Sequence, residues 1–381
     1  MNYRITCLTP LLIGDGRKLA PIDYMVWKDQ VNVLDQRRIF RLLAKGPRLD
    51  NYLLQLKKAD KLDFASWGGF AQNFADRRIP FESPAYSAYW NRATGDSLHI
   101  PTFAAGPSGP YLPGAAIKGA LRTGLLYANW RQGVMQELAA RLQTERAMRR
   151  PGESAEEQAL GNSGTNRMRL LAVADSAPVS LSQLKVHLLR VSTLQPRSGG
   201  YSLAWKQSPR GTVDGARPDD STPAFVEMAV PGATFEGVWQ ERTFFLQPEV
   251  RRLVRWQESF GRARIFDAAN EFAAALLRLH KQYAVWTGLE ILGRQIEELE
   301  RRLEEARQSG ACLLSMGWGS GLLGKSAWID TNNPDYRKVL QHFSLYGKAL
   351  TSNLPFPKTR RIVFVNNRPG TLPGWVKLEV R

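Results

Sequence analysis

The sequence GWGSGLLGKS, residues 317–326, contains the pattern G-x-x-x-x-G-K-S, which would fix the fold of the whole chain if it were a P-loop. A P-loop lies between a strand and a helix inside a large parallel sheet. Only 55 residues follow Ser326, and they include five prolines, Pro334, Pro355, Pro357, Pro369 and Pro373. The segment AWIDTNNPDY reaches an Asn-Asn-Pro stop where the phosphate-facing helix should begin, and no apolar run ending in a magnesium-binding Asp follows the loop. We therefore predict neither a parallel P-loop sheet nor a bound nucleotide or other cofactor.

The glycines of this loop still need a physical explanation. Gly317, Gly319, Gly321 and Gly324 have no Cβ atom, so their backbone can adopt positive φ angles and approach another backbone closely. One hypothesis is that this other backbone is an RNA strand. Its phosphate oxygens would accept hydrogen bonds from exposed amides of the loop, and the charge of Lys325 would attract them. The alternative is that the glycines only allow the loop to pack against another element of the protein. The sequence leaves both hypotheses open.

The charge of the chain favours a polyanionic partner. The 381 residues include 52 Lys+Arg and 35 Asp+Glu, which gives a formal net charge of +17. Nucleic acid is the first candidate, and an anionic membrane surface is the second. No apolar stretch reaches eighteen residues and the start MNYRITCLTP is no signal peptide, so we expect a soluble cytoplasmic protein. Cys7, Cys312 and four scattered histidines have no metal-ligand spacing, so no metal site is predicted.

Strand and helix patterns alternate along the chain. Residues 3–9 alternate apolar and polar side chains like a half-buried strand, and residues 23–35 resemble two strands around a Lys-Asp-Gln turn, with a helix from Gln36. Residues 114–130 have a helical period behind a Pro-Gly start, with Lys118 and Arg122 one turn apart. Residues 267–308 carry an apolar stripe at helical spacing, which is typical of a core-facing helix and could alternatively dock a partner helix.

Two segments have the composition of exposed, irregular chain. Residues 142–167 are charged and rich in small residues, and we predict a mobile excursion there. Residues 206–222 carry many turn-forming residues and are predicted to form a long loop. Strands are predicted on either side of that loop, including two strands separated by a Pro-Gly interruption within residues 224–240.

Several of these stretches together resemble the RAMP proteins of CRISPR effector complexes. The resemblance rests on LTPLLIGDGRK, YLPGAAIKGALR, AVPGATFEGVW, GWGSGLLGKS and the C-terminal LPGWVKLEV, whose order spans most of the chain. Within the superfamily, the arrangement is most similar to the family of fifth subunits of the type III-A Csm complex. The resemblance implies an α+β fold of two ferredoxin-like βαββαβ modules. We place them at residues 1–175 and 176–381, with a helical insertion at about 248–308 and the glycine-rich loop in the second module.

The same resemblance implies a function in RNA binding without cleavage. Such a subunit caps the backbone filament at the 3′ region of the CRISPR RNA and supports its maturation in antiviral defence. Its partners would be that RNA, an adjacent backbone RAMP subunit, the small subunits and the target RNA, with no membrane. The residues that match the family motifs, and are predicted to contact the RNA backbone, are Gly14, Gly16, Arg17, Lys18, Lys118, Arg122, Gly319, Gly321, Gly324 and Lys325. The helix start after Pro113 is expected to add free amides and a positive dipole end, and Gly119 and Gly124 are expected to allow close approach to that helix.

An enzymatic alternative depends on Asp23. This residue lies where backbone RAMP subunits carry the Asp that cuts target RNA, and a carboxylate there could bind a metal or act as a base. The chain departs from that pattern immediately afterwards, since Tyr24, Met25 and Val26 lead into a strand. We therefore expect Asp23 to bond nearby amides and predict no catalytic residue. A second alternative is a RAMP endoribonuclease that processes CRISPR RNA, but such enzymes usually place a His near the first strand and its following helix, and here no His precedes His99.

Overall fold

The computed structural model describes residues 1–44, 46, 48–58, 60–62, 73–144, 150–207, 214–256, 261–350 and 354–381, without the side chain of residue 348. In chain order, the strands are β1 (Asn2–Cys7), β2 (Lys18–Leu19), β3 (Tyr24–Trp27), β4 (Gln30–Leu34), β5 (Ala75–Pro80), β6 (Ile100–Pro101), β7 (Ala105–Gly106), β8 (Gly109–Pro110), β9 (Leu171–Val173), β10 (Leu184–Arg197), β11 (Gly200–Trp205), β12 (Ala224–Ala229), β13 (Thr234–Glu241), β14 (Cys312–Ser315), β15 (Thr359–Val365), β16 (Arg368–Thr371) and β17 (Trp375–Val380). The α-helices are α1 (Gln36–Leu43), α2 (Leu49–Lys58), α3 (Tyr86–Arg92), α4 (Gly114–Asn129), α5 (Val134–Thr144), α6 (Glu153–Leu160), α7 (Pro248–Leu253), α8 (Arg262–Thr287), α9 (Glu290–Gln308), α10 (Pro334–Gln341) and α11 (Ser344–Leu350). The predicted α+β class is confirmed.

The first large sheet joins the two ends of the chain. Its strand order is β14-β17-β1-β13-β9, and all its pairings are antiparallel. Strand β1 lies at the centre, with Ile5 opposite Leu378 on one side and Phe235 on the other. The alternation predicted for residues 3–9 is confirmed, because Tyr3, Ile5 and Cys7 are buried while the residues between them are partly exposed. Helices α4 and α8 contribute buried side chains to the same core.

The second large sheet is built around the long strand β10. Its first half pairs with β12 and its second half with β11, while β15 pairs with its centre and continues to β16, all in antiparallel order. A smaller sheet, β3-β4-β5, contains the hairpin predicted in residues 23–35. Lys28 and Asp29 form its turn with positive φ angles, and α1 begins at Gln36 as predicted.

The apolar stripe of residues 267–308 faces the core along two helices, α8 and α9. Both helices bury this stripe within the chain, which confirms the core-facing interpretation. The two helices are separate because Gly288 ends α8 in the left-handed conformation, with a φ of 66°. Helix α8 also contacts α4 closely: a Cβ placed on Gly124 would lie 2.8 Å from the Cα of Ala269. Gly124 therefore allows the approach of a helix of the same chain, not of a ligand.

The structure changes or limits three further expectations. Within residues 142–167, residues 153–160 form α6 and bury Ala155, Ala159 and Leu160, while 145–149 lie outside the described residues. The predicted loop at residues 206–222 includes residues 208–213, which also lie outside the described residues. The boundary at residue 175 stays a prediction, although the first sheet takes β1 and β9 from one side of it and three strands from the other. No helix among the described residues is long and apolar enough to cross a membrane.

Candidate nucleic-acid interface

The turn that follows the first strand forms one wall of an open cleft. Residues 14–18 are exposed, and segment 100–104 holds them in place. The Ala104 amide donates to the carbonyl of Ile13 at 2.8 Å, and Lys18 pairs with Pro101 between β2 and β6. Gly16 adopts a φ of 90°, a conformation that favours glycine. The Arg17 side chain is 80% exposed, with its Nε 3.3 Å from Asp15 Oδ2, so Asp15 compensates part of its charge.

Helix α4 forms the second wall with a face of small side chains. Ala116, Gly119, Ala120 and Thr123 line the cleft, at the spacing that places helical residues on one face. A Cβ placed on Gly119 would have no heavy atom within 4 Å, so the helix backbone is accessible there. The predicted close approach to Gly119 is therefore sterically possible.

The glycine-rich loop after β14 forms the third wall. Its backbone is fixed to the first wall, because the Trp318 amide donates to the Leu12 carbonyl at 2.8 Å. Gly317 has a φ of 82°, and a Cβ there would lie 2.3 Å from the same carbonyl oxygen. Gly319 packs against Pro373 in a similar way. These two glycines thus serve packing, whereas Gly321 faces open space.

The three walls bring predicted residues from distant parts of the sequence together. They enclose an open cleft of about 630 Å³, lined by Gly14, Gly16, Arg17, Lys18, Gly324 and Lys325 from the predicted set. Gly319 and Gly321 line a second cavity on the other side of the loop. The described residues that line the cleft include no Asp, Glu, His or Tyr. Lys18 and Lys325 are exposed and have no carboxylate partner among the described residues, so the cleft carries uncompensated positive charge.

Lys118 and Arg122 do not line this cleft. The Lys118 ammonium donates to the Leu171 carbonyl at 2.7 Å. Burial is the main cause that lowers the pKa of Lys118, and the positive charge of the nearby Arg242 lowers it further. Arg122 forms an ion pair with Glu156 of α6. Neighbouring helical positions differ in direction by about 100° because an α-helix has 3.6 residues per turn. The face carrying Gly119 and Thr123 meets the cleft, while these two cations bond elsewhere in the protein.

The start of helix α4 is also occupied by the protein itself. The Gly114 amide donates to Asp175 Oδ1 at 2.8 Å, and the Leu112 amide donates to Ser176 Oγ at 2.9 Å. A Cβ on Gly114 would lie 2.2 Å from the Val173 carbonyl, so the helix end is tightly packed. The expectation of free amides for phosphate at this end is therefore wrong. Asp175 places a carboxylate at the positive end of the helix dipole.

Asp23 bonds amides close to it, as predicted. Its Oδ2 accepts from the Ala20 amide at 2.7 Å, and its Oδ1 accepts from Gln36 Nε2 at 3.0 Å. The side chain thus connects the entry of β3 to the first turn of α1. Across the ranges that the structure describes, no group of three or more His, Cys, Asp or Glu side chains is arranged to hold a metal ion.

The loop at 317–326 does not have the surroundings of a P-loop. Strand β14, which precedes it, pairs antiparallel with β17. Residues 327–333 are described and contain no helix, and α10 begins only at Pro334 behind the capping side chain of Asn333. A P-loop needs a helix directly after the loop, so the motif match does not form a P-loop.

Sequence reasoning missed two residues at the boundary between the cleft and the second cavity, Trp318 and Arg361. Trp318 lines both the cleft and the second cavity, and the Arg361 guanidinium lies 4.7 Å from the centre of its ring. This is a cation–π arrangement between residues 43 positions apart. On the small-residue face of α4, sequence reasoning identified Gly119 but not Ala116, Ala120 and Thr123, although their spacing is visible in the sequence.

The fold and the cleft define an α+β protein with a glycine-bounded, positively charged groove. The chain belongs to the RAMP superfamily, whose family model matches residues 4–293. This confirms the superfamily that the motifs predicted.

Relatives within the superfamily narrow the comparison further. The CRISPR system Cms protein Csm5 of Methanocaldococcus jannaschii is 20% identical over 414 residues, covering 100% of this chain and 89% of the relative. Among solved structures, a chain of the Csm-crRNA-target RNA ternary complex of a type III-A CRISPR-Cas system matches with a TM-score of 0.68, 21% identity and complete coverage of both chains. The crystal structure of T. onnurineus Csm5 matches with a TM-score of 0.60, 18% identity and coverage of 98% and 99%. The chain is thus a Csm5-like member of the superfamily, and the structural similarities establish its fold.

Proposed function

We propose that this chain is a non-catalytic RNA-binding subunit of a type III-A CRISPR ribonucleoprotein, which caps the backbone filament at the 3′ end of the CRISPR RNA. The observation that carries this proposal is the cleft, where residues of the first turn and of the glycine-rich loop meet around Lys18 and Lys325. The positive charge of such a groove attracts the phosphates of single-stranded RNA, and this attraction does not depend on the base sequence. The similarity to Csm5 of Methanocaldococcus jannaschii over the whole chain supports the choice of complex.

The partners follow from the same similarity. The structural neighbour with a TM-score of 0.68 comes from a complex that contains crRNA and target RNA. By extension, we propose that this chain contacts the 3′ region of the CRISPR RNA, an adjacent backbone RAMP subunit, the small subunits and the target RNA. We also propose that the two large antiparallel sheets are the cores of two ferredoxin-like modules. Their antiparallel strand pairing supports this assignment. In chain order, α7, α8 and α9 lie between β13 and β14, which are both strands of the first large sheet, so we assign the insertion to the module built on that sheet and not to the second as expected.

The chemistry of the cleft supports binding without cleavage. General acid–base cleavage of RNA uses a side chain within hydrogen-bond reach of the reacting atoms, most often His and otherwise Glu, Asp, Lys, Tyr or Cys. From this set, the described lining of the cleft supplies only Lys18 and Lys325, with no His, Glu, Asp, Tyr or Cys to act beside them. Asp23 uses both carboxylate oxygens in local hydrogen bonds and is outside the cleft lining. We therefore propose no catalytic role for Asp23 and do not favour the processing endoribonuclease.

Reconstitution tests this function. The protein, the backbone subunits and CRISPR RNA are assembled, followed by native mass measurement and sequencing of the RNA 3′ ends. We expect Lys18→Glu combined with Lys325→Glu to reduce occupancy of this subunit and to change the RNA 3′ ends. Arg278→Glu combined with Arg294→Glu is the matched control, because it alters the net charge equally on exposed positions of α8 and α9. Full occupancy and wild-type 3′ ends in the cleft variant would contradict the proposal.

A further inference from the structure

A second cavity lies on the other side of the glycine-rich loop. It has a volume of about 860 Å³, within the range of about 300–1,000 Å³ that is usual for small-molecule sites. The cavity and the cleft share Ser315, Trp318, Ser320 and Lys325, so they adjoin along the loop. A ligand whose backbone follows the cleft could therefore place a side group in this cavity. We call it the aromatic cavity and define it by Trp318, Gly321, Tyr346, Phe356, Lys358 and Arg361.

The walls of the aromatic cavity are mostly apolar. The rings of Tyr346 and Phe356 meet edge to face with their centres 5.8 Å apart, which holds both in position. Pro357 and Pro373 extend this apolar surface, and Trp375 is buried beneath it. Tyr346 is only half-buried, so part of its ring remains available to a ligand. A flat aromatic group is the natural occupant of such walls.

Positive charge surrounds these apolar walls. Lys325, Lys358, Arg360 and Arg361 all line the aromatic cavity, and its described lining includes no Asp or Glu. Arg360 is held rigidly, since its Nη1 donates to the carbonyls of Pro357 and Thr359 at 2.7 and 2.8 Å. Arg361 lies over Trp318 at the boundary with the cleft. The combination of aromatic walls and uncompensated cations matches a nucleotide, which joins a flat base to an anionic phosphate.

We propose that the aromatic cavity holds one nucleobase of the RNA strand whose phosphates lie in the cleft, with the base stacked on Tyr346. This inference rests on the proposed function of the cleft. The glycine-rich loop separates the two sites, and the open space at Gly321 leaves room for the sugar–phosphate chain to pass. Aromatic stacking accepts every base because each base has a π-face, so the site gives affinity with little sequence preference.

Two oligomers separate base binding from phosphate binding. One is a single-stranded RNA carrying 2-aminopurine, and the other is a ribose–phosphate oligomer of equal length that has no bases. Both are titrated at low salt against the full chain, against Tyr346→Leu and Tyr346→Phe, and against the combined Lys18→Ala and Lys325→Ala variant. The change to Leu removes the aromatic face but keeps apolar volume beside Phe356, while Phe keeps the ring. Thermal unfolding of each variant verifies that it is folded.

The expected results differ for the two sites. Tyr346→Leu should weaken RNA binding about ten-fold and remove the quenching of 2-aminopurine, because one stacking contact is lost. The same variant should bind the base-free oligomer as the wild type does, and Tyr346→Phe should bind both normally. The Lys18 and Lys325 variant should lose affinity for both oligomers.

Other outcomes overturn the inference in distinguishable ways. If the wild type binds both oligomers and Tyr346→Leu alters neither, or alters both equally, the base site is wrong while the cleft stands. If the wild type binds neither oligomer, the proposed function fails and the base site fails with it. If the aromatic cavity instead holds an apolar segment of a neighbouring subunit, Tyr346→Leu will reduce complex assembly and leave RNA affinity unchanged, which also refutes base binding.

Discussion

Replacing Lys18 and Lys325 with alanine should reduce the salt dependence of RNA binding by a defined amount. Both side chains are exposed, line the cleft and have no carboxylate partner in the described part of the chain. Each cation that neutralises a phosphate of a single strand adds about 0.7 to the slope of log affinity against log salt. Losing two contacts should therefore reduce the slope by about 1.4. If the two affinities converge at 1 M salt, the variant should bind about 25-fold more weakly at 0.1 M.

Fluorescence anisotropy with a single-stranded RNA, at five or more salt concentrations, measures both slopes. Lys118→Ala is the informative control, because its ammonium donates to the Leu171 carbonyl and is not part of the cleft. We expect its slope to equal that of the wild type, although its fold is less stable. A lower slope for Lys118→Ala together with an unchanged slope for the double variant would refute the assignment of the RNA to this cleft.

Three further predictions concern stability and ligand choice. His187 is buried with neither ring nitrogen hydrogen-bonded in the described structure, and burial, together with the nearby Lys185, lowers its pKa from 6.5 to about 3. Unfolded chains therefore take up a proton at residue 187 that the folded protein does not, so this residue should lower stability as the pH falls from about 6.5 towards 3, by about 2 kcal/mol at pH 5. Buried His280, whose pKa is also lowered, adds its own loss, so His187→Leu should reduce the loss between pH 7.5 and pH 5 in thermal unfolding without abolishing it. Asp175→Ala should cost about 1 kcal/mol in urea unfolding because the Gly114 amide loses its acceptor, whereas Asp175→Asn should cost less. Equilibrium dialysis with ATP and magnesium should detect no binding, because the strand before the glycine-rich loop lies in an antiparallel sheet and not in the parallel sheet of a P-loop. Micromolar ATP binding that Lys325→Ala abolishes would contradict this prediction.

Local patterns predicted the local structure of this chain well. The strand at the N-terminus, the hairpin around Lys28 and Asp29 and the helices that share the apolar stripe depend on contacts within short segments or on one-sided burial. Pairings between distant segments could not be predicted in this way. Strand β1 pairs with β17 at the opposite end of the chain, and no periodicity within either strand specifies that partner.

The orientation of helix α4 shows how this limit affects the candidate site. The sequence predicted the helix and the spacing of Lys118 and Arg122, but spacing does not specify which face meets solvent. That rotation depends on long-range packing, since the backbone of Ala269 in α8 lies against Gly124 and Glu156 in α6 forms an ion pair with Arg122. Once these contacts form, Gly119 faces the cleft. The residues of the motif were thus sufficient to predict the helix, while the directions of the Lys118 and Arg122 side chains could be read only from the folded structure.

The glycine-rich loop explains why a P-loop pattern can occur without a P-loop. In a P-loop, glycines let backbone amides surround phosphates at the start of a helix. Here Gly317 is needed because a side chain would collide with the Leu12 carbonyl, and Gly319 because it would collide with Pro373. Packing fixes the loop beside the turn at residues 14–18, and this fixed position presents Lys325 to the cleft. The two hypotheses left open by the sequence are therefore compatible: close packing of the protein builds the wall along which we propose that the RNA backbone lies.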